Sequence, residues 1–413
     1  MRARAAWLFV VLAAAAAGCQ DTTDSLGSNE ASELHAITNR PATYQNPLRD
    51  VLNLSQDAIN RKINSVYMQL FHGDADTQAI YVPVANTDQA YIYDVLHSQI
   101  RTEGQGLGMM IEVELEPGSK TNQSEFDSLW RYAKNQLQVS SGYFTSFCDS
   151  ADQMTSTTCL DPYGLQQFVT ALIFAHDRWG SGGAIDYQAE ALALLHTMRF
   201  TVDGDGGVAG GVTNTFDATS NLPYSTPDFA SMGQTRPSIV MPGYYAVWAQ
   251  AAHQQMFADA AASGRVLWQA AANAMTGLTP IRSNFDGTPV MGWSVFDPES
   301  YRTQINMVID QYWTGITTSS PICNQILAFF TGQGISSYGT SYTIDGMTCT
   351  NTFHEPSLVV ANAIAAGGSS NSDRQQYLSA LWNMQIPTGN GRYYAGILQL
   401  LGLMILGGQF QII

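Results

Sequence analysis

Charge is scarce in this chain of 413 residues: only 13% are Asp, Glu, Lys or Arg, with 18 basic residues against 34 acidic ones. The net charge of -16 repels phosphate backbones, and no stretch clusters Lys and Arg with aromatics, which argues against nucleic acid as a partner. Cysteine is also sparse. The five residues Cys19, Cys148, Cys159, Cys323 and Cys349 form no CxxC pair and no His/Cys cluster, so the sequence offers no zinc site, and no metal or other cofactor is expected. The apolar run from Ala5 to Ala17 is too short to span a bilayer comfortably. What the chain has in quantity is Gly, Ser, Thr, Asn, Gln and Tyr, which predicts a surface of neutral polar groups, common on exported proteins that meet neutral polymers. At this length it can bury a large core as one big domain or two ordinary ones.

The N-terminus "MRARAAWLFVVLAAAAAGCQ" puts two arginines before the apolar run and small residues before Cys19, the pattern of a signal peptide over residues 1–19. Its ending "AAGC" resembles a bacterial lipoprotein processing box, which makes Cys19 the expected lipidation site. Ala16 stands where leucine is usual, leaving ordinary signal cleavage as the alternative. The expected location is a membrane-anchored lipoprotein of the outer membrane, periplasm or cell surface, touching the membrane only through that lipid, or a secreted protein if Cys19 is not modified. Residues 20–41, opening with "DTTDSLGSNEASE", are polar and aperiodic and are expected to be a flexible tether. With Cys19 set aside, four cysteines remain in an oxidising compartment. Proximity in sequence favours disulfides Cys148–Cys159 and Cys323–Cys349, each closing a Ser/Thr-rich loop; separate buried thiols are the alternative.

Beyond the tether the signal is helical. Segments such as "QSEFDSLWRYAKNQLQ", "YGLQQFVTALIFAHDRWG" and "YQAEALALLHTMRF" place apolar residues at three- and four-residue steps, and the connections are long and rich in Gly, Ser, Thr, Asn and Asp. Ten to twelve helices fit between residues 45 and 413, in one all-α domain. In "RTEGQGLGMM", Thr102 and Gln105 read as a capping box, which puts Glu103 in the first turn of a helix, where an acid is favoured by the dipole. Gly104, Gly106 and Gly108 would clear space for a ligand beside that carboxylate.

"RTEGQGLGMMI", "EFDSLWRYAKNQL", "GYFTSFC", "LIFAHDRWG" with "YQAEALALL", "PSIVMPGYYAVWA", "DGTPVMGWSVFDPESYR" and the terminal "GRYYAGILQLLGLMILGGQFQI" together resemble glycoside hydrolase family 8, in particular its xylan-acting members. The resemblance runs from about Ala42 to the C-terminus. It implies an (α/α)6 barrel over residues 42–413, with long loops forming an open cleft, and inverting hydrolysis of β-linked polysaccharide. Inversion needs a general acid and a general base with carboxyls roughly 6.5–9.5 Å apart, leaving room for a water. Glu103 falls on the family's proton donor. The base register reads "ESYR" where many members have Asp, placing Glu299 there, with Asp297 as the fallback and Arg302 as the cation that holds the base ionised. Tyr163 in "DPYGLQQF" stands where members carry a sugar-binding Asp, and Asp161 could supply that carboxylate. Arg236 occupies a position where acidic residues are common in relatives. Both changes point to altered subsite chemistry.

Sugar rings stack on aromatic faces. Tyr143, Phe144, Tyr224, Tyr244, Trp293, Tyr301, Tyr393 and Tyr394 adjoin loops or helix ends and are candidate subsite walls, each with core packing as its alternative. Trp130, Trp179, Trp248 and Trp382 fall within helical periods and are assigned to packing, and His176 to a structural role. The expected substrate is β-1,4-xylan or xylo-oligosaccharide, then cellulose or mixed-linkage glucan. A catalytically impaired carbohydrate-binding lipoprotein on the same barrel is the alternative. A monomer is expected.

Overall fold

The computed structural model describes residues 31–115, 120–149, 160–200 and 212–413. The predicted signal peptide, Cys19, tether residues 20–30 and Cys159 lie outside the described residues, as does the side chain of Cys148, so the pairing Cys148–Cys159 falls there too.

Among the described residues there are thirteen α-helices. After a single turn, α1 (Pro47–Asp50), twelve longer helices form two concentric sets. The inner set is α3 (Thr102–Glu114), α5 (Pro162–Trp179), α7 (Pro242–Ala251), α9 (Tyr301–Thr314), α11 (Pro356–Gly367) and α13 (Tyr394–Leu406). Each inner helix packs on the next, and α13 returns to α3 to close the ring. The outer set is α2 (Gln56–His72), α4 (Lys120–Tyr132), α6 (Tyr187–Phe200), α8 (Gln255–Ala271), α10 (Ser320–Gln333) and α12 (Arg374–Asn383). The sequence separates the two sets. The run "YAGILQLLGLMIL" of α13 is apolar on every side and is buried from Ala395 to Leu406, whereas α2 buries only the stripe Ile59, Ile63, Val66, Tyr67, Leu70 and Phe71. This is the (α/α)6 barrel that the sequence leads one to expect.

Small residues set how closely the inner helices approach. A Cβ on Gly106 would lie 2.6 Å from Gln167 Cβ, and one on Gly164 would lie 2.6 Å from the carbonyl carbon of Thr102, so α3 and α5 meet backbone to backbone at their N-terminal ends. Gly104 faces the Tyr393 ring and Gly108 faces Ile92. All three glycines of "EGQGLG" therefore serve helix packing and do not open space for a ligand.

Short antiparallel strands lead into this rim. The strands β1 (Tyr81–Pro83), β2 (Ala90–Asp94), β3 (Gln99–Arg101) and β4 (Phe147–Asp149) form a four-stranded sheet in chain order. The pair β5 (Gln234–Thr235) and β6 (Ser283–Asn284) and the triplet β7 (Val295–Phe296), β8 (Ser341–Thr343) and β9 (Cys349–Asn351) brace other loops.

Two expectations are corrected. Residues 31–41 are no tether: Leu34 and Ile37 are buried, His35 N donates to Ala251 O at 2.8 Å, and the His35 ring stacks on His253 at 3.5 Å. Two apolar side chains three residues apart, with these polar and ring contacts, dock the arm on the domain. The pairing Cys323–Cys349 is absent, and both thiols are free. Cys323 is buried on α10, 3.9 Å from the Gln311 amide of α9, while Cys349 lies on the edge strand β9 with its thiol donating to Asn351 O. Their nearness in sequence places them on separate elements.

Candidate active site

Successive inner helices are separated by one outer helix that carries the chain back, so the six inner N-termini open at one rim. There the starts of α3, α9, α11 and α13 line a cavity of about 420 Å³, with the turn after β2 closing one side. Glu103, Glu299, Arg302 and Tyr394 all line it.

Glu103 sits in the first turn of α3, but the capping box does not form. Arg101 is the residue before the helix and makes no side-chain cap. The Thr102 hydroxyl donates to Thr145 O at 2.6 Å, and the Gln105 amide reaches Ile92 N at 2.6 Å and Leu129 O at 3.0 Å. Both side chains are fully buried, so neighbouring backbone claims them before their own helix can. The effect is to lash the start of α3 to β2, α4 and the segment before β4. Arg101, in turn, is held by Asp94 at 2.7 Å, and Asp94 also meets His97 at 2.8 Å.

The Glu103 side chain is 16% exposed. Burial raises its pKa above the ordinary glutamate value despite the lowering pull of Arg302, and the negative charge of Asp161 adds to the rise. Arg302 Nη1 lies 2.8 Å from Oε1, though out of line for a hydrogen bond, and Oε1 has no aligned donor. Arg302 lies over the buried Tyr163 ring at 4.7 Å and reaches Glu299 Oε2 with Nη2 at 4.0 Å. The cation expected to serve the base thus sits tighter on the acid. The nearer partner of Glu299 is Arg236, whose Nη1 is 3.1 Å from Oε2 and whose Nη2 donates to Ser225 O at 2.8 Å. Burial raises Glu299, but Arg236, Arg302 and Arg282 together outweigh it and hold the carboxyl below its ordinary value.

Asp297 is part of the turn before α9. Its Oδ1 accepts from Glu299 N at 2.9 Å, and burial raises its pKa. Asp161 accepts from Tyr163 N at 2.8 Å and so caps α5. Tyr163 itself is buried beneath the Arg302 guanidinium and does not line the cavity, and burial and the negative charge of Glu103 raise its pKa.

Three candidate walls belong to the core instead. The Tyr143 hydroxyl donates to Thr213 O at 2.7 Å, Tyr244 donates to Gln167 at 2.9 Å and stacks on Trp313, and Tyr301 donates to Thr340 O at 2.9 Å. All three are buried, because each phenol finds an interior acceptor that lets the whole ring leave water. Phe144 and Tyr224 are buried as well. Trp293 is 41% exposed and carries the Arg282 guanidinium on its face, outside the residues that line the cavity. Tyr393 lines the cavity and is 4% exposed, its hydroxyl without a hydrogen-bond partner among the described residues. Trp130 and Trp248 are buried in the core, and His176 meets Ser181 Oγ at 2.8 Å.

Sequence reasoning missed Glu355 and Ser357 at the start of α11, Asn390 and Gly391 before α13, and the Asp94–His97 turn. One signal was present: every catalytic candidate sits at the start of an inner helix, and the Glu-Pro of "HEPS" marks such a start.

Residues 92–408 match the family described as Glycosyl hydrolases family 8. The chain is 30% identical over 378 residues to the reducing-end xylose-releasing exo-oligoxylanase Rex8A of Paenibacillus barcinonensis, covering 86% of this chain and 93% of that one. It is 31% identical over 387 residues to the reducing end xylose-releasing exo-oligoxylanase of Halalkalibacterium halodurans, covering 89% and 94%. Among solved structures, a GH8 xylobiose complex from Teredinibacter turnerae superposes with a TM-score of 0.82 at 31% identity, over 90% of this chain and 98% of that one. A rim of inner-helix starts carrying two carboxylates under one guanidinium, on a closed double ring of helices that matches these proteins along nearly its whole described length, makes this chain a member of glycoside hydrolase family 8.

Proposed function

We propose that the cavity hydrolyses β-1,4-linked xylo-oligosaccharides with inversion, Glu103 acting as general acid and Glu299 as general base. The observation that carries this reading is the opposed tuning of the two carboxyls: Glu103 is raised by burial, while Glu299 is lowered by its arginines. Paired groups pushed apart in this way mark acid and base roles. One guanidinium reaches both, at 2.8 and 4.0 Å, so their nearest oxygens lie no more than roughly 9 Å apart, compatible with the roughly 6.5–9.5 Å of inverting enzymes.

In the proposed step Glu299 takes a proton from a water, which attacks the anomeric carbon from the face opposite the leaving group. Glu103 delivers its proton to the departing glycosidic oxygen. The Arg302 guanidinium lies 2.8 Å from Oε1 and disfavours a proton there, so Oε2 is the oxygen proposed to carry it. Arg302 and Arg236 orient the pair, and Tyr394 stands beside them as a sugar wall. Asp161 is near enough to act on Glu103, but it does not line the cavity and its Oδ1 caps α5. The relatives named as exo-oligoxylanases match at 30–31% identity over 93–94% of their length, against 25% over 64% for an endoglucanase of Ruminiclostridium cellulolyticum, which favours xylo-oligosaccharides and exo action. Proton NMR of fresh xylohexaose digests tests the reading: the α-anomer and single xylose units are expected first. A β-anomer as first product would overturn inversion, and binding without turnover would favour a carbohydrate-binding protein.

The export reading belongs to the same proposal. Cys19 becomes the lipidated N-terminus and anchors a monomer at the membrane surface. Labelling with a palmitate analogue should mark the wild type but not Cys19→Ser, and equal labelling of both would refute it. Among the described residues no helix is long and apolar enough to cross a membrane.

A further inference from the structure

Arg236 and Arg282 are placed opposite each other by the short ladder of β5 and β6. The antiparallel register pairs Thr235 with Ser283, so the next residues along are these two arginines. Like charges directly opposite destabilise a strand pair. Arg302 adds a third cation around Glu299, in a chain with only 18 basic residues.

The charges are unevenly matched. Arg236 is engaged by Glu299 and by Ser225 O. Arg282 has neither a side-chain hydrogen bond nor an ion pair among the described residues, and its Nε is buried without a partner. Its guanidinium lies 4.3 Å over the ring of Trp293, an indole that is 41% exposed. Asp228 stands in the neighbourhood, but its Oδ1 is taken by Ser231 N at 2.8 Å. Beside Glu299, just outside the residues that line the cavity, Arg282 therefore presents a half-buried cation with an open fork, fixed on an aromatic platform. A guanidinium fork matches a carboxylate in a bidentate manner, and an exposed indole offers a face to a sugar ring.

We propose that Arg282 on Trp293, backed by Arg236, receives the carboxylate of a uronic acid substituent carried by the oligosaccharide in the cleft. The proposal rests on the reading of the cleft as a β-glycan site. A carboxylate there completes the fork of Arg282 and relieves the opposition of the two arginines. A neutral branch does neither.

The test compares xylo-oligosaccharides bearing one glucuronic acid branch with the same compounds after carboxyl reduction, which keeps the branch and removes only the charge. Both kcat/KM and Kd are measured. The wild type should favour the acidic form by about tenfold, the low end for a close charge pair across an interface. Arg282→Gln should bring that ratio near one, and Arg282→Lys, which keeps the charge and loses the fork, should fall between. A wild-type ratio near one, or a ratio unchanged in Arg282→Gln, would overturn the subsite. The two readings fail distinguishably. Hydrolysis of unbranched xylotetraose with no charge preference removes only the Arg282 subsite, whereas no binding of any oligosaccharide removes the cleft reading and the subsite with it.

Discussion

Replacing Arg236 by glutamine should move the acid limb of the pH profile of kcat/KM to higher pH. The limb reports ionisation of the free enzyme's base, proposed to be Glu299, which must be charged to accept a proton. Arg236 is the strongest of the cations that hold this carboxyl below its ordinary value, so removing it raises the pKa and a higher pH is needed for the same activity. Two unit charges at the observed 3.1 Å would interact by ~5 kcal/mol at an effective dielectric of about 20. The Glu299 side chain is 48% exposed, however, and water screens such pairs to ~0.2–1 kcal/mol. Arg236 is itself only 15% exposed, so the upper end applies. About 1 kcal/mol corresponds to a shift of about 0.7 pH unit. The alkaline limb, set by Glu103, should stay in place, and Arg236→Lys should hold the acid limb within a few tenths of a unit. The assay is kcat/KM on xylotriose across the pH range. An acid limb that stays fixed or moves down refutes the argument, and a shift of the alkaline limb alone would reverse the two roles.

Glu103→Gln should lose roughly 10²–10⁴-fold in kcat on xylo-oligosaccharides and recover part of it on an aryl xyloside whose leaving group needs no proton. Glu299→Gln should fall in the same range on both substrates. Asp297→Asn, which keeps the acceptor for Glu299 N, should retain most activity, and the opposite order of the last two would make Asp297 the base. Gly164→Ala should destabilise the fold by about 1–3 kcal/mol, seen as a lower Tm, because its methyl group meets the Thr102 backbone at 2.6 Å. It should also lower kcat, since Thr102 adjoins Glu103.

The residues that declared themselves in sequence did so through motifs that resemble those of the family, and their height along a helix is what brings them together. Glu103, Glu299 and Arg302 lie in or just before a first turn, and first turns of inner helices all open at one rim. Aromatics were harder, because height does not fix the direction in which a side chain points around the helix axis. Tyr244 and Tyr394 occupy comparable positions near the starts of α7 and α13, yet Tyr244 turns into Gln167 and Trp313 while Tyr394 faces the cavity. That choice depends on which acceptors the neighbouring helix offers, and these lie far away in sequence. The same distance hid Glu355 and Asn390, which reach the cavity from the start of α11 and from the turn before α13. Nearness in sequence is no better a guide, since Cys323 and Cys349 sit on α10 and β9 as separate free thiols.

Two of the sequence's departures from its family's pattern acquire a common meaning once the side chains are placed. The resemblance puts Glu299 where many members carry Asp and Arg236 where acidic residues are common, and the two are in contact at 3.1 Å. An aspartate at 299 would be one methylene shorter and would fall away from Arg236. An acid at 236 would repel the base and raise its pKa. With Glu at 299 and Arg at 236, the ion pair holds the carboxyl below its ordinary value, as its proposed role of base requires. Glu103, the proposed acid, behaves differently. Arg302 lies closer to Glu103 than to Glu299, 2.8 against 4.0 Å, and still Glu103 is the carboxyl whose pKa is raised. Coulomb attraction from one shared cation therefore does not decide which residue keeps its proton. Depth does: a side chain 16% exposed beneath α3 loses hydration that the guanidinium does not replace, while one 48% exposed keeps its water and adds Arg236.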